Sequence, residues 1–583
     1  MVLRLNLADA LDYEISQQIP PIIGSLQSLG KARSWLEACA RSDDTYYEDS
    51  EGRSISSDSQ DLGDHYHTPC THYSTPGYVP TRLLDLSNIS SGTWRICVPS
   101  EDSTGVVAYA TISYCWGAIP FLKLTQQLLP DFRARKPVSQ LPRVFQDAMM
   151  VTKHLGLQYI WIDALCIVQD SAEDFKNEAA KMAEVYSNTV INIIAATCQS
   201  PFESLFKARD IRSCHVGRFW PSWDTTDSFF ATLHSVDSIM EIESIRRDFE
   251  NAPTSRRGWI LQERVLPSRR LYFFRTQLYY VCRSSEACEV FPNVVPDRLK
   301  SYSETHDLPL PSQQQSPFHN WDFLAEEYSK YSLTYPGDKI IALSGLVKIF
   351  QIATGDDYVA GLWKSKLPWT LGWSGSAYSH RRRLALDIAP TWSWLSIDGQ
   401  INLGHTGILL CTHKSAICDI LDVSVVPIHA VSTNTVVSGV LTLRAPSLLV
   451  CVAVDGSLNT PFISEDLVET ARFSPDDTYE ELTAGTRLIM AILTVQGVCG
   501  KYLNENRHFM EGATWWTITA LILQHDEVKD WYRRVGNLSI KTQISHSHVK
   551  TSQLLEALGL TIKDAFGEVI VTDDSKWTVL RVI

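Results

Sequence analysis

The segment Tyr109-Ala110-Thr111-Ile112-Ser113-Tyr114-Cys115-Trp116-Gly117 decides how this chain is read. With Val106 and Val107 before it, Val106–Tyr114 is a nearly continuous apolar run that leads into aromatic residues and a glycine. A short run without alternation is the pattern of a strand buried on both faces. Outward from it, Leu141–Leu155 reads as a helix. Pro142 suits its first turn, Val144, Ala148, Val151 and Leu155 make one stripe, and Gly156 stops it. Leu157–Leu165 reads as a second buried strand. Ser171 opens a capped helix with Asp174 three residues on, and Phe175, Ala179, Met182 and Tyr186 are its expected buried stripe. Thr189–Ala196 reads as a third strand, Trp259–Val265 as a short helix and Arg270–Phe274 as a fourth strand, with a long insert at about 200–250. Strands alternating with helices predict an α/β fold, a parallel sheet covered on both sides.

The chain has 583 residues, 44% of them hydrophobic, ample for a core and long for one domain. Its net charge of -14, with no long Lys/Arg run, argues against nucleic acid and against an anionic membrane as partners. The thirteen cysteines are an odd number and no Cys-x-x-Cys pair occurs, which fits a reduced compartment. Asp9, Asp12 and Glu14 stand where a secretory signal needs an apolar core, and no apolar run approaches the length of a spanning helix. Cytoplasmic localisation is the expectation. No Gly-x4-Gly-Lys-Ser/Thr loop is present, so a nucleotide-driven switch is not expected within the chain.

Four regions follow. Residues 1–80 hold an amphipathic helix at Ile22–Cys39 and an acidic stretch at 42–61, read as a flexible loop. His65, His67, Cys70 and His72 come next. No partner ligands stand at zinc-like spacing, so a polar loop is preferred and no metal is expected. Residues 81–275 are the α/β domain. Residues 276–400 are helical, then Trp-rich, and 401–583 are mostly β, with runs such as Thr435–Leu443, Ser447–Val454 and Arg487–Val495.

In open parallel sheets ligands bind beyond the carboxyl ends of strands. Ser113, Tyr114, Cys115, Trp116 and Gly117 end the first strand, and Asp163, Cys166 and Gln169 end the second. Glu263 lies on the short helix before the fourth strand, within Ser255-Arg256-Arg257-Gly258-Trp259-Ile260-Leu261-Gln262-Glu263-Arg264. Such parts offer aromatic faces, a glycine that lets backbone approach closely, and a carboxylate. Each has a plainer reading. Trp116 and Trp161 are more often core aromatics. Cys115 and Cys166 are more often small buried hydrophobes, and a thiol hydrolase needs a partner histidine, the nearest being His154 at a helix end. Asp163 can cap a loop, and Glu263 can pair with Arg256, Arg257 or Arg264.

Taken together, the three motifs at 109–117, 159–170 and 255–264 resemble the heterokaryon incompatibility domain of filamentous fungi, over about Leu83–Phe274. Glu327-Tyr328-Ser329, Asp338–Gly345, Val359–Trp363 and Pro390–Ser396 resemble the elements that follow that domain, with Leu395 departing from the small residue usual there. The resemblance implies a role in nonself recognition and regulated cell death. The strand–helix order is also similar, more distantly, to the flavodoxin-like Toll/interleukin-1 receptor (TIR) domain, some members of which cleave NAD. Trp259-Ile260-Leu261-Gln262-Glu263 has the spacing of that family's Trp-Cys-Leu-x-Glu pattern, with Ile260 in place of Cys. This resemblance implies Glu263 as catalytic carboxylate. Substrate contacts would come from Ser113, Tyr114, Trp116, Gly117, Asp163, Cys166, Gln169, Trp259 and Gln262, with NAD as substrate and no separate cofactor. The competing reading is a non-enzymatic module whose same surface assembles with itself or with an incompatibility partner.

Overall fold

A computed structural model describes residues 4–8, 18–44, 46–48, 54–56, 77–102, 107–209, 216–219, 229–234, 249, 251–283, 285–293, 295, 317–333, 335–376, 379–385, 388–403, 411–427, 436–452, 458–459, 471–478, 482–503, 509–543, 556, 560–562, 569–571 and 574–583. The chain divides into two compact units, Met1–Leu308 and Pro309–Ile583.

The first unit is built on a nine-stranded sheet. Its elements are α1 (Leu26–Asp44), β1 (Leu83–Asp85), β2 (Thr93–Cys97), β3 (Tyr109–Ser113), β4 (Lys136–Pro137), α2 (Arg143–His154), β5 (Tyr159–Trp161), α3 (Ala172–Ser187), β6 (Ile191–Ile194), α4 (Ile260–Val265), β7 (Arg269–Phe273), β8 (Leu278–Cys282) and β9 (Glu286–Cys288). The strand order is β9-β8-β7-β6-β3-β5-β1-β2-β4. Only its centre is parallel, at β7/β6, β6/β3 and β3/β5. Both flanks are antiparallel, so the expected parallel sheet is corrected to a mixed one. The four strands read from the sequence are this parallel centre. Every residue of β3 and β6 is buried, which is why those segments carry no polar alternation.

Several local expectations change. The second strand ends at Trp161, because Ile162 O accepts from the backbone N–H of Leu165 and Cys166 and turns the chain into a short helix, Asp163–Cys166. The α3 cap forms as read: Ser171 Oγ accepts from the Asp174 N–H. Asp174 then takes a second role, its carboxylate accepting from Val168 N and Arg82. Phe175 is not in the buried stripe. It is 39% exposed, and the face that packs carries Glu178, Ala179, Met182, Val185 and Tyr186. Trp161 is a core residue, edge-to-face with Tyr186 at 5.8 Å between centroids.

The N-terminal region joins this unit. Arg4–Ala8 pairs with Phe229–His234, which pairs with Val216–Phe219 from the long insert. On α1, Ser28 Oγ donates to Glu289 and Trp35 Nε1 donates to Pro292 O. Within the acidic stretch, α1 runs on to Asp44 and Tyr46–Glu48 pairs with Ser54–Ser56. The remainder of 42–61, together with His65, His67, Cys70 and His72, lies outside the described residues.

The second unit has α5 (Pro317–Ser329), α6 (Asp338–Thr354) and a large sheet containing β10 (Val436–Val452), β11 (Arg487–Leu503), β12 (Phe509–Asp526), β13 (Trp531–Gln543) and β14 (Trp577–Val582). Strands β11-β12-β13-β14-β10 pair in turn and β10 returns to β11, closing a ring. Val450, Val452, Leu488, Met490, Ile492, Ile518, Ala520, Ile522, Leu538 and Ile540 form one core, the alternate positions of these strands. The runs read at 435–443 and 447–454 are joined in one strand, Val436–Val452, continuous through Pro446. The Trp-rich signatures fold locally: Trp394 Nε1 donates to Gly361 O at 2.8 Å and Trp373 Nε1 to Trp392 O at 2.9 Å. At Gly361 (φ 94°) an added Cβ would lie 2.8 Å from Trp394 Nε1, so glycine is required by both conformation and space. Among the described residues, no helix is long and apolar enough to cross a membrane.

Candidate functional site

The parallel strands run β5-β3-β6-β7 across the sheet, so the direction of winding reverses between β3 and β6. Loops that leave the carboxyl ends of two such strands diverge and leave a crevice. The loop after β3 passes close to the one after β6. Gly117 has φ 64°, and a Cβ there would sit 3.1 Å from Ser200 Cβ and 3.3 Å from Gln199 O. Any other residue would be strained and would push the two loops apart.

One carboxylate organises the loop after β3. Asp163 Oδ1 accepts from Tyr114 Oη at 2.7 Å and from its neighbour Ala164 N at 2.7 Å, and Oδ2 accepts from Trp116 Nε1 at 2.8 Å. Both oxygens are thereby engaged in holding this loop, which is the capping alternative for Asp163. Tyr114 is buried, edge-to-face with Phe145 at 4.9 Å, and burial with Asp163 alongside holds its phenol well above the usual range. Trp116 is half-buried, with Lys123 Nζ 4.4 Å from its ring centroid. Gln169 Nε2 donates to Asp163 O and Ile167 O at 3.2 and 3.0 Å, bracing the same turn. Cys166 is fully buried and burial pushes its thiol up to about 12, while Cys115 is pushed up to about 11. His154 lines a separate cavity of about 420 Å³ with Arg33, Ile89, Ser90, Met150 and Lys153, in which Cys166 has no part.

The second cluster centres on Glu263. Helix α4 is buried along its length, with Glu263 4% and Gln262 1% exposed, and Trp259 half-buried at its start. Burial pushes the Glu263 carboxyl up to about 7, and Asp163 adds to that. The Arg257 guanidinium and a hydrogen bond with Ser113 favour the charged form without outweighing burial. Oε2 of Glu263 is buried and has no hydrogen-bond partner among the described residues. Arg257, half-buried, donates to Tyr114 O, and Glu263 and Asp163 favour its charged form against the cost of desolvation. Ser113 is 1% exposed and its Oγ accepts from Asn192 Nδ2 at 2.9 Å.

The fold therefore draws Ser113, Tyr114, Asp163 and Glu263 into one electrostatically connected group, with Arg257 among them. Trp116, Gly117 and Gln169 stand on the loops around it. Cys166 faces the core. Sequence reasoning passed over Asn192, Tyr186 and Lys123. Asn192 carried a usable signal, because an amide inside the apolar run Ile191-Asn192-Ile193-Ile194 needs a partner once buried.

These features define an α/β domain with a buried, proton-holding carboxylate beside the carboxyl end of its central parallel strand. Residues 109–263, about a quarter of the chain, match the family model described as Heterokaryon incompatibility protein (HET). The matched stretch opens at the first residue of β3 and ends on Glu263. No curated protein matches the chain, and no solved structure does.

Proposed function

We propose that this chain is a heterokaryon incompatibility-type protein of the fungal cytoplasm, acting in nonself recognition and regulated cell death, whose α/β domain cleaves NAD with Glu263 as the catalytic carboxylate. The observation that carries this reading is Glu263 itself: a buried carboxylate, one oxygen unpartnered, with an arginine and a second carboxylate acting on it. Such groups concentrate at catalytic sites because ordinary packing gives no reason to keep them. The order of the parallel strands, 2-1-3-4 in chain sequence, is that of a flavodoxin-like domain, and so supports a ligand beyond the carboxyl ends of β3 and β6.

The chemistry follows from the carboxylate. The bond between nicotinamide nitrogen and ribose C1′ breaks, its electron pair leaves with neutral nicotinamide, and the ribose becomes an oxocarbenium-like cation. Glu263 in its charged form stabilises that cation and orients the ribose hydroxyls. Water then adds to C1′ and gives up a proton to the carboxylate or to solvent. Because the carboxyl titrates at about 7, turnover rises as pH increases through that value.

The competing reading, an interaction module without turnover, also has its own observation. Gly117, Ala118, Ile119 and Pro120 are exposed, with Ile119 60% exposed, beside a site whose other members are packed. An exposed apolar loop of this kind suits a protein partner or a second copy of the chain. The deciding experiment measures NAD loss and nicotinamide release by concentrated, crowded full-length protein and by Glu263→Ala. Turnover by the wild type that disappears in the variant is the expected result. No turnover by wild type, with assembly verified by light scattering, removes the enzyme reading in favour of the interaction module.

A further inference from the structure

We propose that Asn192 and Ser113 are positioning residues that aim a hydrogen bond at the Glu263 carboxyl and hold its helix, a role that rests on reading Glu263 as catalytic. Asn192 is fully buried on β6, opposite Thr111 of β3. Its Nδ2 donates to Ser113 Oγ at 2.9 Å and to the backbone oxygen of Glu263 at 2.7 Å. Its Oδ1 accepts from Thr111 Oγ1 at 3.0 Å. Both amide hydrogens are used, and the amide can point only one way: turned over, Oδ1 would face the Glu263 carbonyl oxygen.

Ser113 Oγ accepts from Asn192 and keeps its O–H to donate, and both the Glu263 carboxyl and the Tyr186 phenol lie within its reach. Ser113 thereby favours the charged form of this carboxyl, while Oε2 has no partner among the described residues, which leaves it for a substrate hydroxyl. Asn192 reaches Glu263 twice, through its backbone oxygen and, by way of Ser113, through its side chain. A purely structural amide has no need to converge on one residue. The other groups acting on this carboxyl are Arg257 before α4 and Asp163 after β5. Glu263 in turn acts on Cys115 at the end of β3 and on Tyr186 of α3. Of these, Tyr186 also interacts with Ser113, so Ser113→Ala acts on the phenol as well as on the carboxyl.

The test titrates Glu263 in the full chain by infrared difference spectroscopy, subtracting from each protein its own Glu263→Gln counterpart, so that only this carboxyl contributes. Wild type is expected to give a midpoint near 7. Ser113→Ala removes a hydrogen bond that favours the charged form, so the midpoint rises by about one pH unit. Asn192→Asp replaces the donor with an acceptor and adds negative charge, so it rises at least as far. Ser113→Thr keeps the hydroxyl and returns the midpoint toward wild type. Folding of each variant is checked by circular dichroism, and Ser113→Ala alone decides if Asn192→Asp does not fold. A wild-type midpoint in folded Ser113→Ala overturns the positioning role, whatever the NAD assay shows. NAD turnover is measured in parallel. Its absence from a wild type whose variants shift as described removes the reaction and leaves the hydrogen-bond control of Glu263 standing.

Discussion

Replacing Glu263 with Gln is expected to stabilise the protein at neutral and alkaline pH and to do little in acid. The folded chain raises this carboxyl from 4.5 to about 7. Below the ordinary value both folded and unfolded states hold the proton, and the side chain has no pH-dependent cost. As pH rises through the window from 4.5 to about 7, the unfolded chain releases the proton while the fold retains it, so stability falls. Above the window the cost is complete. With about 1.4 kcal/mol for each pH unit, it reaches roughly 3 kcal/mol. Glu263 is 4% exposed, so solvent screening takes little from this figure. Gln mimics the neutral form at every pH. Its amide introduces a constant offset, because Nε2 takes the place of the unpartnered Oε2, but that offset cancels when the two proteins are compared across pH. Urea unfolding at steps from about pH 5 to pH 8 should show the stability difference, Gln minus Glu, growing by ~2 to 3 kcal/mol. Parallel pH profiles for the two proteins would refute the reasoning: the carboxyl would then titrate alike in both states and could not be the buried, proton-holding group described above.

Three further expectations concern other parts of the chain. Arg209 and Glu289 form a fully buried pair to which Ser28 and the Leu278 N–H are also bonded, so Glu289→Gln, which leaves Arg209 charged and unmatched, should cost about 3–5 kcal/mol in urea unfolding of the first unit. Arg534 is fully buried between Asp476 and the Trp373 ring, 3.6 Å from the ring centroid, and donates to Leu371 O and Trp373 O; Arg534→Met should cost a similar ~3–5 kcal/mol, seen as a lowered unfolding midpoint of the second unit. Cys166, fully buried with its thiol pushed up to about 12, should resist iodoacetamide at about pH 8 in the native state and react once unfolded, as read by mass spectrometry; native alkylation at a rate typical of exposed thiols would contradict its placement.

What was legible in the sequence follows from how local each determinant is. Strands β3, β5, β6 and β7 could be read because a strand buried on both faces has to be apolar throughout, and residues 109–113 and 191–194 nearly are. The α3 cap could be read because Ser171 and Asp174 are three residues apart. The antiparallel flanks could not. β1 and β2 are short, and their pairing depends on where β5 lies. Phe175 was misassigned because periodicity alone does not say which face meets the sheet, and the packing face admits Glu178, which accepts from Thr81 and Lys181. The candidate site divides along the same line. Residue types at strand ends pointed to Ser113, Asp163 and Glu263. The spacing could not show that Tyr114 and Trp116 spend their polar atoms on Asp163, nor that Asn192, some 70 positions from Glu263, donates to its backbone.

The two carboxylates of the cluster show why one is scaffold and the other is the candidate for chemistry. Asp163 is half-buried, and three donors meet its oxygens, from Tyr114, Trp116 and Ala164. Removing its charge would loosen the loop after β3, and its geometry is fully explained by that loop. Glu263 has no such explanation. An apolar side chain of like size on α4 would pack against the same neighbours without the ~3 kcal/mol cost of ionising in the core at neutral pH. The surrounding groups do not remove that cost: Arg257 offsets part of it, Asp163 adds to it, and among the described residues nothing bonds Oε2. On the proposed reading, the fold departs from the cheapest packing at Glu263, and sets Asn192 and Ser113 beside it, for what the carboxylate does when substrate reaches it. The asymmetry places the search for substrate at Oε2 of Glu263, with Asp163 as the support that keeps the neighbouring loop in place.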